Sequence, residues 1–333
     1  MKLRIKKPNI RIIKPKIIKN YIDRIEKKKI YSGINNIKMG KASSNITEGV
    51  ILLQGGAFRG VYTSGVIDFL MEHDINFRHV VGVSAGALNG MNYVSGDIGR
   101  GALINLKHRH DPSWIGLKAL FSKGNNGIIG FTYALGDYNN EYPFDEDRFF
   151  NSGKEFIATA TCLEDGRNHY FKNDSNTIYK AIMASASMPY ISKPVEINGK
   201  HYLDGGCMDS LPIKYVRNKY RGEKIVVVMT RPLGFRVNTS QNSKITKVNY
   251  AMYKKYPLFI ESLNNMDERL NIDFKLIEEL SYKNKIFVIA PSEPIDISRL
   301  EGDMEKLGSL YRLGYLDMER RYDQLIEFLN NWF

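Results

Sequence analysis

Residues 82–86 read Gly-Val-Ser-Ala-Gly, a serine held between two glycines at the end of an apolar run. The pattern G-x-S-x-G marks a sharp strand-to-helix turn that presents the serine Oγ. Small residues two before and two after the serine let neighbouring backbone pass close by. In hydrolases with this turn, an acid and then a histidine follow the serine in the chain. The six histidines here are His73, His79, His108, His110, His169 and His201, and none lies in residues 202–333. Ser84 is therefore either no nucleophile or has another base, because a serine hydroxyl is a weak nucleophile at neutral pH without one.

The length of 333 residues is enough for a full core in one large or two smaller domains. Cys162 and Cys207 are the only cysteines, which argues against a disulfide framework and fits a reducing, cytoplasmic setting. No apolar run reaches the ~18 residues of a membrane-spanning helix. The N-terminal segment has cations but no apolar core, so no secretory signal is expected.

The net charge of +12 is local. Residues 1–45 hold 14 of the 48 basic residues and 2 of the 36 acidic ones, leaving 34 of each sign in the rest. A basic arm thus precedes a neutral domain. Its cations alternate with isoleucines, as in Lys2, Arg4, Ile5, Lys6, Lys7 and Ile10. Such a segment suits an anionic membrane surface, where each cation contributes about 1 kcal/mol. It is equally compatible with a solvated extension without a partner. Nucleic acid is not expected, because no zinc spacing, RNA-binding signature or clear helix-turn-helix accompanies the charge.

The domain is expected to begin near Thr47. Gly49–Gln54 is a short apolar strand leading into the turn Gly55-Gly56-Ala57-Phe58-Arg59-Gly60, and residues 61–72 have helical spacing. His79–Val83 is a second strand running into Ser84, and Ala85–Val94 a helix. Repeated strand–turn–helix units imply a parallel sheet covered by helices, an α/β fold. Further strands are expected at 155–162, 169–171, 224–229 and 285–290, with a hairpin over 195–203 around Asn198-Gly199. Helices are expected at 177–187, 258–281 and 303–331.

The first glycine turn matches a dinucleotide fingerprint poorly, because Ala57 replaces its second glycine and no acid ends the next strand. The better reading is an oxyanion hole, since backbone N–H groups at a helix mouth carry partial positive charge. For the base of Ser84, the most suggestive acid is Asp204, in Leu203-Asp204-Gly205-Gly206. It closes a strand, and two glycines let the chain turn away. Taken alone, it reads as a turn aspartate bonding its own backbone.

These three motifs, in this order and spacing, resemble the patatin-like phospholipase family over roughly residues 49–230. The run Ala184–Pro189, followed by Lys193-Pro194-Val195, adds to the resemblance. It implies a three-layer α/β/α fold with a central, mostly parallel sheet, a catalytic core over 46–230 and a C-terminal extension over 231–333. It also implies Ser84 as nucleophile and Asp204 as its base, a dyad without histidine. Gly55, Gly56, Ala57, Arg59 and Gly60 match the oxyanion turn, and Gly82, Gly86, Gly205 and Gly206 the motif glycines. Ala57 departs from the usual glycine and would be strained at positive φ. The expected activity is hydrolysis of membrane-lipid carboxylic esters through an acyl-enzyme, without metal or cofactor, with the arm recruiting the protein to the inner membrane face. The rivals are a soluble carboxylesterase or thioesterase with the same dyad, and an idle lipid binder.

Other features weigh less. His108, His110 and Asp111 read as surface residues, and Cys207 as a buried filler. Residues 112–135 alternate large apolar groups with glycines, as a lid or as ordinary core would. Tyr250, Tyr253 and Tyr256 with Lys254 and Lys255 have an interfacial composition.

Overall fold

The computed structural model describes residues 29–239 and 243–331. The strands are β1 (Gly40–Lys41), β2 (Thr47–Leu53), β3 (Phe77–Val83), β4 (Asp97–Ile98), β5 (Glu155–Cys162), β6 (Asn168–Lys172), β7 (Val195–Ile197), β8 (Lys200–Asp204), β9 (Ile225–Val228) and β10 (Phe287–Ile289). The helices in the first half are α1 (Gly60–Glu72), α2 (Ala85–Ser95), α3 (Arg100–Leu106), α4 (Leu117–Phe121), α5 (Phe131–Leu135), α6 (Asp137–Glu141) and α7 (Glu146–Asn151). Those in the second half are α8 (Ile178–Ser185), α9 (Ile213–Lys219), α10 (Ser243–Tyr253), α11 (Pro257–Asn264), α12 (Met266–Tyr282), α13 (Met304–Arg320) and α14 (Tyr322–Asn330).

One sheet runs β10-β9-β2-β3-β5-β8-β7, with β6 also on β5. The pairs from β10 to β5 are parallel, and β6, β7 and β8 pair antiparallel. The short strands β1 and β4 form a separate antiparallel pair. Residues Val50–Leu53 of β2 are wholly buried, as a parallel strand covered on both faces requires. Successive side chains point to opposite faces. Ile51 and Leu53 pack with Tyr62, Val66, Met91 and Leu307 on one side, and Val50 and Leu52 with Val216, Phe274 and Ile277 on the other. Helices therefore flank both faces, and the expected three layers are present.

Two helices expected to be continuous are broken. The 258–281 stretch divides at Asn265, and 303–331 divides at Arg321, each outside the α-helical runs it joins. The Arg321 guanidinium lies over the Phe287 ring and a nitrogen donates to the Val288 carbonyl at 2.5 Å, which seats the break on the edge strand β10.

The basic arm lies outside the described residues up to residue 28. Beyond it, residues 31–42 pack on the domain. Ile37 and Ala42 are buried, and Ser32 gives two hydrogen bonds to Glu305. The C-terminal region is equally integral. It supplies the edge strand β10 and the helix α13, which crosses α1 at backbone contact. A Cβ on Gly65 would run into the Tyr311 carbonyl, and one on Gly314 into that of Tyr62. Tyr311 donates to Asp68 at 3.0 Å, Tyr62 to Asp317 at 3.1 Å and Tyr315 to Glu72 at 3.0 Å, lacing the two helices together.

Candidate active site

Strand β5 brings the two candidate residues together. Val83, the last residue of β3, is in register with Thr159, and Asp204, the last of β8, with Ala160. Because β6 occupies the other edge of β5 over these positions, β3 and β8 share one edge and end facing each other. Ser84 and Asp204 are far apart in sequence, but Val83, next to Ser84, and Asp204 are in register with consecutive residues of one strand.

Ser84 adopts φ 55° and ψ −122°, a backbone state that costs an L-residue about 1–3 kcal/mol. Three contacts hold it there. Its N–H donates to Ser185 Oγ at 2.8 Å, and Ser185 Oγ donates to the Thr159 carbonyl at 2.6 Å. Gly86 lies so close to the Leu53 carbonyl that a Cβ would overlap it. Ser84 Oγ donates to Asp204 Oδ2 at 2.5 Å.

Asp204 is buried and uses both oxygens. Oδ1 accepts the Gly206 N–H at 2.8 Å while Oδ2 faces Ser84. The two sequence readings of this residue, turn aspartate and serine partner, thus hold together, one per oxygen. Its N–H donates to the Ser187 carbonyl at 2.9 Å, and Thr161 Oγ1 donates to its carbonyl at 2.9 Å. Burial raises the carboxyl to about 6, against the lowering effects of Ser84, Gly206 and the Arg299 charge. A carboxylate so raised takes up a proton more readily than one in water. The Ala184–Pro189 run has its physical meaning here. Ser185 fixes the nucleophile candidate and Ser187 the acid, through contacts that only the folded chain brings about.

The glycine turn lies against Ser84, since a Cβ on Gly55 would meet Ser84 Cβ at 3.1 Å. Ala57 has φ 51°, the positive value that would strain it. The turn residues differ in what they offer. Gly55 N–H donates to the Ser210 carbonyl at 3.3 Å, Arg59 N–H to Gly56, and Gly60 N–H to Ala57 and Phe58. The N–H groups of Gly56 and Ala57 donate to no carbonyl among the described residues. Of the five turn positions singled out, these two keep donors available for an oxyanion. Arg59 contributes charge, and burial lowers its guanidinium to about 9.

Ser84 lines a pocket whose empty space, open solvent at the mouth included, is about 830 Å³. Its walls are apolar, with Phe58, Leu88, Met91, Trp114, Ile115 and Ile129. Trp114, Ile115 and Ile129 belong to the 112–135 segment, which is therefore a pocket wall. On its outer side Leu117 is 68% and Phe121 82% exposed. Tyr253 is buried against Phe259, whereas Tyr250 is exposed.

The remaining candidates do not converge on Ser84. His108 bonds Tyr133 at 2.9 Å and His110 the Gly302 carbonyl at 2.9 Å. Cys207 is buried, which raises its thiol far above the usual range and keeps it protonated. Cys162, Asp165 and His169 bring donor atoms within 4.8 Å of one another at the β5–β6 turn, a grouping not apparent in sequence. They are already engaged, His169 Nε2 with Asp165 at 2.8 Å and Nδ1 with Tyr202 at 3.0 Å. Among the described residues no helix is long and apolar enough to cross a membrane.

The chain was compared with known proteins and solved structures. The chain is 26% identical over 271 residues to the uncharacterized protein YjjU of Escherichia coli, covering 80% of this chain and 74% of the relative. It is 26% identical to the probable lipid hydrolase 463L of Invertebrate iridescent virus 6, covering 71% of this chain and 88% of the relative. It is 24% identical to the lysophospholipase NTE1 of Meyerozyma guilliermondii, covering 84% of this chain but 19% of that longer protein. Among solved structures, VipD from Legionella pneumophila aligns with a TM-score of 0.47 at 13% identity, covering 89% of this chain and 70% of that one. Residues 256–330 match a domain of unknown function. The family model described as patatin-like phospholipase matches residues 51–217, just over half of the chain, which contain the glycine turn, the serine elbow and the Asp-Gly-Gly turn; the chain belongs to the patatin-like phospholipase family.

Proposed function

We propose that this protein is a serine acyl hydrolase that cleaves carboxylic esters of membrane lipids through a Ser84–Asp204 dyad. The observation that carries the reading is the 2.5 Å hydrogen bond from a strained serine at an apolar pocket to a buried carboxylate. The names of the viral and yeast relatives, a probable lipid hydrolase and a lysophospholipase, support the substrate class.

The chemistry follows from the contacts. Asp204 Oδ2 takes the Ser84 proton as Oγ attacks the ester carbonyl. The tetrahedral oxyanion is held by the N–H groups of Gly56 and Ala57, each such donor contributing about 2.7–4 kcal/mol in comparable sites. The C–O bond breaks, and the leaving alcohol takes the proton back from Asp204. Water, deprotonated by the same carboxylate, then releases the acid and regenerates Ser84. The apolar wall takes the acyl chain.

The basic N-terminal segment and the outward Leu117 and Phe121 suit docking on an anionic bilayer. A fluorophosphonate probe tests the enzyme reading. The wild type is expected to label once, at Ser84, and Ser84→Ala not at all. Failure of the wild type to label would favour an idle lipid binder. Deleting residues 1–28, which spares the packed residues 31–42, is expected to weaken hydrolysis of anionic liposomes but not of a soluble ester. Equal rates on liposomes would remove the arm from the account.

A further inference from the structure

Three arginines from distant parts of the chain lie within electrostatic reach of one another near the glycine turn and Ser84. Arg59 stands in the glycine turn. Arg231 follows Thr230, whose hydroxyl donates to the Gly55 carbonyl at 3.1 Å and whose N–H donates to Gln54 Oε1 at 2.6 Å, so the start of the loop after β9 lies on the same turn. Arg299 lines the pocket with Ser84, next to Leu300. Arg109 straps that segment down by donating to the carbonyls of Leu300 at 3.0 Å and Glu301 at 2.6 Å, while its guanidinium lies over the Phe58 ring.

The three side chains are close enough to act on one another. Arg59 feels the charges of Arg231 and Arg299, Arg231 feels that of Arg299, and Arg299 also reaches the Asp204 carboxyl. Among the described residues none of the three forms an ion pair, and Arg59 Nε is buried without a hydrogen-bond partner. Arg231 rests on the Phe235 ring at 4.5 Å. Like charges gathered at a partly desolvated mouth without an ion-pair partner are costly unless an anion joins them. The pocket lining contains no acidic side chain.

We propose that Arg59, Arg231 and Arg299 form a phosphate subsite at the pocket mouth, and that the preferred lipids carry a phosphate with no cationic group beyond it. This rests on the acyl hydrolase reading and names its substrate class. Planar guanidinium groups grip phosphate oxygens in pairs. A choline or ammonium beyond the phosphate would meet three cations and no acidic side chain of the pocket lining, which selects against it. The C-terminal segment thereby takes part in choosing the substrate, through Arg299.

The test reads binding in full-length Ser84→Ala protein, so it stands apart from whether the wild type hydrolyses esters. Trp114 in the pocket wall reports the ligand by its fluorescence. Dodecyl phosphate, below its micellar concentration, is expected to bind about tenfold or more tighter than dodecylphosphocholine. Arg231→Gln with Arg299→Gln is expected to bring the two within about twofold. Arg299→Gln alone, at an exposed position, should lose part of the preference and guards against a folding defect in the double variant. Equal affinity for the two amphiphiles, or a preference that survives the double substitution, overturns the subsite. Inorganic phosphate is expected to compete only at far higher concentration. Competition at matched concentration would assign the site to free phosphate and overturn the lipid headgroup.

Discussion

Asp204 and Asp68 are two buried carboxyl groups in similar electrostatic settings with different work to do. Each accepts one backbone N–H, from Gly206 at 2.8 Å and from Gly99 at 3.0 Å. Each accepts one hydroxyl, from Ser84 at 2.5 Å and from Tyr311 at 3.0 Å. Burial is the main cause of a raised carboxyl in both, to about 6 for Asp204 and about 7 for Asp68. Raised proton affinity alone therefore does not single out Asp204. The difference lies in the hydroxyl. Tyr311 sits in the regular helix α13, pressed against α1. Ser84 sits at positive φ on the wall of a pocket. A perturbed carboxyl thus marks burial; a base is marked by a strained, accessible partner.

The sharpest way to break this comparison is to remove each hydroxyl. Ser84→Ala is expected to lower kcat on a soluble ester at least about a thousandfold, as removal of a catalytic nucleophile does. Tyr311→Phe should leave the activity per folded molecule unchanged. A comparable loss in both would mean that the α1–α13 lacing is part of the chemistry.

The acids come next. Asp204→Asn is expected to cost about a thousandfold in kcat/KM. In the wild type the base must be ionised, so kcat/KM should rise with pH and level off above about 6. Asp68→Asn should keep this profile. A limb that persists in Asp204→Asn would assign it elsewhere.

Much of the site was legible in the sequence because its parts are local. The elbow, the glycine turn and the Asp-Gly-Gly turn each need small residues at fixed spacing around one polar group. The strands at 155–162 and 224–229 were legible as apolar runs. The β7–β8 hairpin declared itself through Asn198-Gly199, and both residues have positive φ. What was not legible depends on distant neighbours. Nothing in the composition of 184–189 says that Ser185 will hold the Ser84 N–H, or that Thr230 will bring Arg231 to the glycine turn. The breaks at Asn265 and Arg321 escaped because apolar spacing continues through both.

Stability sharpens the comparison on a smaller scale. Gly65→Ala or Gly314→Ala should destabilise by about 1–3 kcal/mol, since each Cβ meets a backbone carbonyl of the facing helix. A melting temperature unchanged in both would show that the crossing tolerates a wider spacing.

The pH dependence of stability should separate Asp68 from its surroundings. Its folded carboxyl lies above its unfolded value, so the native state binds more protons between about pH 4 and 7. Its contribution is therefore full in acid and declines as pH rises through that window. Asp68→Asn should flatten that decline in urea titrations, and an unchanged slope would remove Asp68 as its source. The smallest effect is expected at Ala57, where glycine relieves a left-handed backbone. Ala57→Gly should stabilise by about 1 kcal/mol, with the backbone N–H retained. Destabilisation would mean that the methyl group has a packing role.

The α1–α13 crossing also has a meaning in time. During synthesis the glycine turn, Ser84 and Asp204 all leave the ribosome before residues 304–320. Helix α1, which starts where the glycine turn ends, gains its facing backbone only with that last long helix. An unfinished chain is therefore expected to carry Ser84 before the glycine turn beside it has its facing helix, so that the site is completed only when α13 has folded.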